Sequence, residues 1–244
     1  MQLNNNTILI TGGSAGIGLA MATAMHELGN RVIICGRNEQ RLSSVISHNS
    51  GLHTIACDIS VSEQQAALVK RVVDKFPKLN VLINNAGTQY RADFRSGEFS
   101  FNHIREEINT NLSAQIELTA RMLPQLAAQN SSSIIFMGSA LAKVPKKSTP
   151  VYCATKSALH SFVRTLRYQL EGSTTEIFEV IPDLVDTAMT QHNSRKKISP
   201  EQLTQEVIKG LQKGIKEIRI GRTPLLFALH RFFPSVAYRL LRNE

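Results

Sequence analysis

Thr7-Ile8-Leu9-Ile10-Thr11-Gly12-Gly13-Ser14-Ala15-Gly16-Ile17-Gly18 is the stretch on which the reading of this chain turns. Its first five residues are β-branched or aliphatic throughout, as in a strand buried on both faces. Glycines follow at once, and then a helical run through about residue 28. In that order Gly12 permits the tight turn, Gly16 lets the backbone approach a pyrophosphate, and Gly18 lets helix and strand pack closely. The N–H groups at the helix start then face negative charge. Gly12, Ser14, Gly16, Ile17 and Gly18 are therefore candidate dinucleotide-binding residues. Glycines also serve ordinary turns, and only the strand–turn–helix context gives these ones weight.

Outward from the loop, strand and helix alternate. Apolar runs at 31–35, 53–57, 81–84, 133–137 and 176–181 read as strands, with a short seventh at 218–220. Helical segments separate them at 39–47, 61–76, 109–129 and 151–170, the third containing Pro124. Almost wholly apolar strands joined through helices imply a parallel sheet covered on both faces, and right-handed crossovers make it doubly wound. The expected fold is α/β: a single Rossmann-type domain over 1–244, with about seven strands. No repeat or Gly/Ser linker interrupts it. Residues 188–200, polar from Gln191 to Pro200, read as a mobile loop on the substrate side.

Composition narrows the function. Hydrophobic residues make up 42% of the 244, enough for a sizeable core. Cys35, Cys57 and Cys153 and the seven histidines lack metal-site spacing, so no metal is expected. Unclustered cysteines, an N-terminus unlike a signal peptide and no long apolar run point to the cytoplasm. The net charge of +9 is concentrated late: from Arg195 to Glu244 there are eleven Lys/Arg against four Asp/Glu, a net of +7. No helix-turn-helix, RNA-binding or zinc pattern accompanies it, so nucleic acid is not an expected partner. Residues 222–244 form a basic, apolar extension containing Leu225, Leu226, Phe227, Phe232 and Phe233. It has four open readings: peripheral membrane contact, packing on the domain, covering the cleft, or joining subunits.

Two further constellations carry chemistry. The second strand ends in Cys35-Gly36-Arg37-Asn38. It lacks the carboxylate that would hold a free ribose 2′-hydroxyl, while Arg37 can pair with a 2′-phosphate; a plain surface arginine is the other reading. Tyr152 and Lys156 lie four apart, on one face of a helix. A nearby ammonium favours phenolate, so the spacing predicts a phenol acidified by roughly 1–3 units. Ser139 follows the fifth strand, thirteen residues before Tyr152, and can bind the carbonyl oxygen that Tyr152 protonates.

The G-x-x-x-G-x-G loop, Asn84-Asn85-Ala86-Gly87, and the Ser139/Tyr152/Lys156 spacing together resemble the classical short-chain dehydrogenase/reductase family. Within it the chain looks most like the DltE-like oxidoreductases of bacteria. The resemblance covers roughly residues 7–187. It implies hydride transfer between a nicotinamide and a carbonyl or secondary alcohol, with Tyr152 as general acid/base. Ser139, Tyr152, Lys156 and Asn111 would be the catalytic set, Asn111 holding a water that links the lysine to solvent. Asp58 would contact the adenine, although it could equally cap the next helix. Asn85, Ala86 and Gly87 would shape the cofactor floor, Val185 and Thr187 would hold the carboxamide, and Tyr152 and Lys156 would also touch the cofactor.

Arg37 goes with NADP(H) in such proteins. Ala15 stands where many NADP-preferring relatives carry a second basic residue, so NAD(H) stays open. Asp183 replaces the usual glycine of P-G-x-V-x-T, which matters if that position needs a positive φ. A small-molecule substrate and a homodimer or homotetramer are implied. Two other functions remain open: a non-catalytic NADP(H)-binding sensor or scaffold, and a membrane-surface enzyme acting on a lipid-like substrate.

Overall fold

The run at Thr7–Thr11 forms strand β1, buried along its whole length. It lies inside a seven-stranded sheet with the order β3-β2-β1-β4-β5-β6-β7, every pairing parallel. The other strands are β2 (Arg31–Gly36), β3 (His53–Ala56), β4 (Leu79–Asn84), β5 (Ser132–Met137), β6 (Thr175–Ile181) and β7 (Glu217–Arg219). The computed structural model describes residues 1–243, His48 by its backbone alone.

Strand alternation sends successive side chains to opposite faces, and each face is covered by helices. Ile8, Ile10, Val32 and Ile34 pack under α1 (Gly16–Glu27), α2 (Glu39–His48) and α7 (Pro200–Gln212). Leu9, Ile33, Leu82 and Phe136 pack under α3 (Ser62–Lys75), α5 (Ala114–Ala127) and α6 (Pro150–Gln169). Full burial of each such side chain contributes about 1.5–3 kcal/mol. The strand order reverses between β1 and β4, which opens a crevice at the carboxyl ends of the strands.

Several elements differ from the sequence-based expectation. The helix expected over 109–129 begins earlier, as α4 (Phe101–Ile108), whose N-cap Ser100 accepts a bond from the His103 N–H. A π-helical turn, Asn109–Ser113, joins it to α5. α5 continues through Pro124 to Ala127. α7 was not expected, although Ser199 and Gln202 form a capping box and Pro200 sits at its first turn. The basic extension folds into α8 (Thr223–Phe232) and α9 (Pro234–Leu241). Residues 188–200 are tied at their base by Asp186 N–H to Ile198 O, 2.9 Å, and Ile198 N–H to Leu184 O, 3.1 Å.

Candidate active site

The glycine loop is held from two sides. Gly12 and Gly13 donate backbone bonds to Cys35 O at 2.9 and 3.2 Å. The Asn85 amide donates to Thr11 O at 2.9 Å, and Thr11 Oγ1 accepts the N–H groups of Asn85 and Ala86. Gly12 has φ +66°, in the left-handed region. A Cβ at Gly18 would stand 2.3 Å from Gly12 O, so helix α1 could not approach β1 with any side chain there. The N-cap of α1 is Ala15, whose side chain cannot bond the first helical N–H groups. Those donors lie at the edge of a cavity of about 1170 Å³ that Gly12, Ser14, Gly16, Ile17 and Gly18 help to line. Uncapped helix-start donors facing a cavity fit a pyrophosphate.

Arg37, Asp58, Asn85, Ala86, Gly87, Val185 and Thr187 line the same cavity. Asp58 Oδ1 accepts the Ser60 N–H and hydroxyl at 2.9 and 2.7 Å, so it also braces the turn before α3. Arg37 is 65% exposed and pairs with Glu106 at 3.0 Å. The second oxygen of Glu106 accepts the Tyr90 hydroxyl at 2.8 Å. These two bonds, Tyr90 first, hold the Glu106 carboxyl below its ordinary range. Sequence reasoning missed this carboxylate beside Arg37, and also Arg41, which lines the same end one turn into α2. The Arg37–Arg41 spacing was the available signal for the second.

Ser139, Tyr152 and Lys156 line the same cavity, and the Ser139 hydroxyl hydrogen-bonds Tyr152. Ser139 follows β5 and caps a short turn, its Oγ accepting the Leu141 N–H at 3.1 Å. Tyr152 and Lys156 project from α6. Lys156 Nζ donates to Met137 O at 2.7 Å and sits 5.7 Å from the centre of the Tyr152 ring. Asn111 lies in the π turn, fully buried. Its side chain accepts from Thr88 N–H at 2.8 Å and donates to Thr88 O at 2.7 Å. It donates a longer bond, 3.4 Å, to Thr155 Oγ1 on α6. Unlike the other three, Asn111 does not line the cavity.

The electrostatics correct one expectation. Lys156 does not acidify the phenol here. Burial pushes Tyr152 up to about 12, the Ser139 hydroxyl pulls it back, and Cys153 and Glu107 add to the rise. The ammonium is committed to the Met137 carbonyl and is itself pushed down to about 8 by burial, with Glu179 pulling the other way. Glu107, also missed, accepts the Tyr90 N–H at 3.0 Å and is raised by burial to about 7. In sequence its Glu-Glu pair looks like a solvated helix face.

Asp183 does not adopt a positive φ, so the lost glycine imposes no strain. Its carboxylate pairs with Arg222 Nε at 2.7 Å and anchors the start of α8. α8 and α9 then pack on the domain. Phe227 meets Ala140 and Ile181, and Ala237 and Leu241 meet Val144. Leu225, Leu226, Leu229, Leu240 and Leu241 line the cavity together with Leu141 and Met189.

Comparison with known proteins shows the family and the fold. The short chain dehydrogenase family model matches residues 6–198. An uncharacterized oxidoreductase, DltE of Bacillus subtilis (strain 168), is 43% identical over 224 residues, 89% of each chain. An uncharacterized oxidoreductase of Staphylococcus epidermidis (strain ATCC 12228 / FDA PCI 1200) is 27% identical over 214 residues, 86% of this chain and 92% of its own. Two solved structures share the fold: a short chain dehydrogenase from Burkholderia cenocepacia J2315 in complex with NADP and a short chain dehydrogenase/reductase from Burkholderia phymatum in complex with NAD. The first has TM-score 0.89 at 24% identity, covering 100% of both chains. The second has TM-score 0.86 at 19% identity, covering 100% of this chain and 97% of its own.

Proposed function

The chain belongs to the short-chain dehydrogenase family of NAD(P)-dependent oxidoreductases and is DltE-like; from that premise we propose that it reduces a carbonyl compound with NADPH, Tyr152 acting as the general acid. The observation that carries this reading is the convergence of Ser139, Tyr152 and Lys156 in the cavity that the glycine loop also lines.

The loop's backbone would hold the pyrophosphate, Arg37 the 2′-phosphate, Asp58 the adenine, Val185 and Thr187 the carboxamide, and Lys156 the nicotinamide ribose. When bound, the reduced nicotinamide supplies the hydride to the carbonyl carbon. Ser139 orients the carbonyl oxygen. Tyr152 gives that oxygen its proton, which the phenol carries at neutral pH because burial raises it to about 12. Lys156 would return a proton to Tyr152 after turnover and regain one from solvent through a water that Asn111 would hold. Alcohol oxidation would use the same groups in reverse.

The test is oxidation of NADPH and NADH across ketones, aldehydes and quinones, run beside Tyr152→Phe. Loss of about 10²–10⁴ in kcat/KM with NADPH affinity retained is expected. Full activity in the variant sinks the assignment of Tyr152. A protein that binds NADPH and reduces nothing favours the sensor or scaffold reading.

A second reading concerns the cap formed by α8 and α9. The cap exposes Phe232 (69%) and Phe233 (62%) on a face away from the cavity, and Leu225 (72%) and Leu240 (59%) where they also line it. Residues 218–243 contain five arginines and no Asp or Glu. Self-pairing of this face would set arginine against arginine, whereas an anionic lipid surface matches both its charge and its apolar residues. No helix among the described residues is long and apolar enough to cross a membrane. We infer peripheral docking and a substrate with an apolar body. Flotation with phosphatidylglycerol vesicles, lost in Phe232→Ser/Phe233→Ser, supports it. Absence of flotation, or self-association through this face, overturns it. The three free, buried cysteines support a reducing, cytoplasmic setting. A homodimer or homotetramer through α5 and α6 is the expected assembly, checked by analytical ultracentrifugation.

A further inference from the structure

One turn beyond Lys156 on α6 lies His160, and its Nδ1 is 2.8 Å from Glu179 Oε2. Glu179 comes from β6 and is 1% exposed. It is the cross-strand neighbour of Phe136, the residue before Met137, whose carbonyl receives Lys156 Nζ. Glu179 Oε1 is buried with no hydrogen-bond partner among the described residues. That oxygen lies so close to the β5 exit that a Cβ at Gly138 would stand 2.6 Å from it. A fully buried carboxylate with one unpaired oxygen is unfavourable unless a cation answers it. Lys156, equally buried, is the cation of the adjoining site.

The other charged groups around the pair are accounted for. From β7, Glu217 is bound to Arg164 of α6 at 3.1 Å and to Arg219 at 2.7 Å. Lys143, from the turn after β5, adds to the positive charge around Glu217 and also acts on Glu179. Glu107 from α4 acts on Tyr152. Glu179 is the one carboxylate whose field is resolved at Lys156 among the described residues. His160, Glu179 and Glu217 do bring ligand atoms within 4.8 Å of one another. Arg164, Arg219 and Lys143 already surround that cluster, so the charge balance opposes a metal ion there.

We propose that Glu179, steadied by His160, is the counter-ion that keeps Lys156 in its ammonium form, which makes it a positioning residue for the Lys156–Tyr152 pair. This rests on the reading of Lys156 as an ammonium that serves the active site. Without Glu179 the lysine would keep its bond to the Met137 carbonyl but lose the carboxylate that opposes burial, and burial favours loss of its proton to solvent as the neutral amine.

The experiment follows the Lys156 side chain by NMR in protein labelled with ¹³C at lysine Cε, without nucleotide, with Lys156→Met identifying the signal. In Glu179→Gln the titration midpoint of Lys156 falls by roughly one pH unit or more. The alkaline limb of the kcat/KM profile with NADPH falls with it. Glu217→Gln leaves the midpoint in place, and Glu179→Asp, which retains the charge, gives a smaller fall; the aspartate also carries the test should the glutamine variant not fold. An unchanged midpoint in both Glu179 variants overturns the proposal, as does an equal fall in Glu217→Gln. The NMR arm separates the two readings. If the midpoint falls but the wild type reduces nothing, the oxidoreductase reading fails and the counter-ion stands.

Discussion

The two ends of the cleft are made of different materials. At the cofactor end the wall is backbone, drawn from the few residues between Gly12 and Gly18 and held by Cys35, Asn85 and Thr11. At the other end apolar side chains line the cavity, drawn from residues nearly a hundred positions apart: Leu141 with Leu226, Leu229 and Leu241, all packed in one cluster around Val144. Backbone N–H groups come close to a ligand and to a neighbouring strand where side chains do not intervene, so the first end carries glycines at Gly12, Gly16 and Gly18. The second needs only bulk and apolarity, which many residues supply, and so it leaves no motif.

Substitutions can break that contrast. The largest effect is expected for Gly18→Val, because its side chain would run into Gly12 O. NADPH binding followed by fluorescence should weaken beyond hundredfold, about 3 kcal/mol. Next comes Leu241→Ala, which empties part of the contact with Val144. Denaturant unfolding should show a loss of about 2–3 kcal/mol while NADPH affinity stays within about twofold. If nucleotide affinity falls with cap packing, the two ends are one cooperative unit and the contrast fails.

Glu107, which does not line the cavity, tests the contrast from outside it. Its folded pKa of about 7 lies above its usual 4.5, so the folded state holds the proton more tightly. Stability from this group is present below pH 4.5 and is lost as pH rises through about 7. Thermal melts at pH 5 and pH 8 should differ less in Glu107→Gln than in the wild type. A Glu107→Gln protein with the same pH dependence as wild type would refute this.

A smaller effect is expected at Arg37. Arg37→Ala should weaken NADPH by about tenfold and leave NADH unchanged. Glu106→Gln should strengthen NADPH, because the carboxylate now competes for the same guanidinium. Calorimetry with both nucleotides decides, and equal losses for the two would remove the 2′-phosphate role. The smallest is Arg222→Ala: its pair with Asp183 is half exposed and contributes no more than about 1 kcal/mol. Its melting point should shift by only a few degrees.

Much of this was legible beforehand, for identifiable reasons. The seven strands were readable because parallel, two-face-buried strands are nearly unbroken apolar runs, and their bounds moved by only one or two residues. The Tyr152/Lys156 pair was readable because helix geometry turns a spacing of four into one face. The pKa of Tyr152 was not, because burial decides it first, with the Ser139 hydroxyl opposing and Cys153 and Glu107 adding, and burial is set by the tertiary fold. Glu106, Glu107 and Glu179 were invisible for the same reason. As letters they are ordinary acidic residues, and only folding sets them against Arg37, Tyr90 and His160. Asp183 looked like a defect in a motif and proved to be the anchor for a helix about forty residues later.

By itself, then, the amino-acid order determined the alternation of strands and helices, the glycine turn and the phenol–ammonium pair, because each is a property of residues within a few positions of one another. Which groups are buried together, and hence their proton affinities and the shape of the substrate wall, was decided only when distant segments closed on one another. Desolvation and Coulomb forces act through space, and distance along the chain does not measure them.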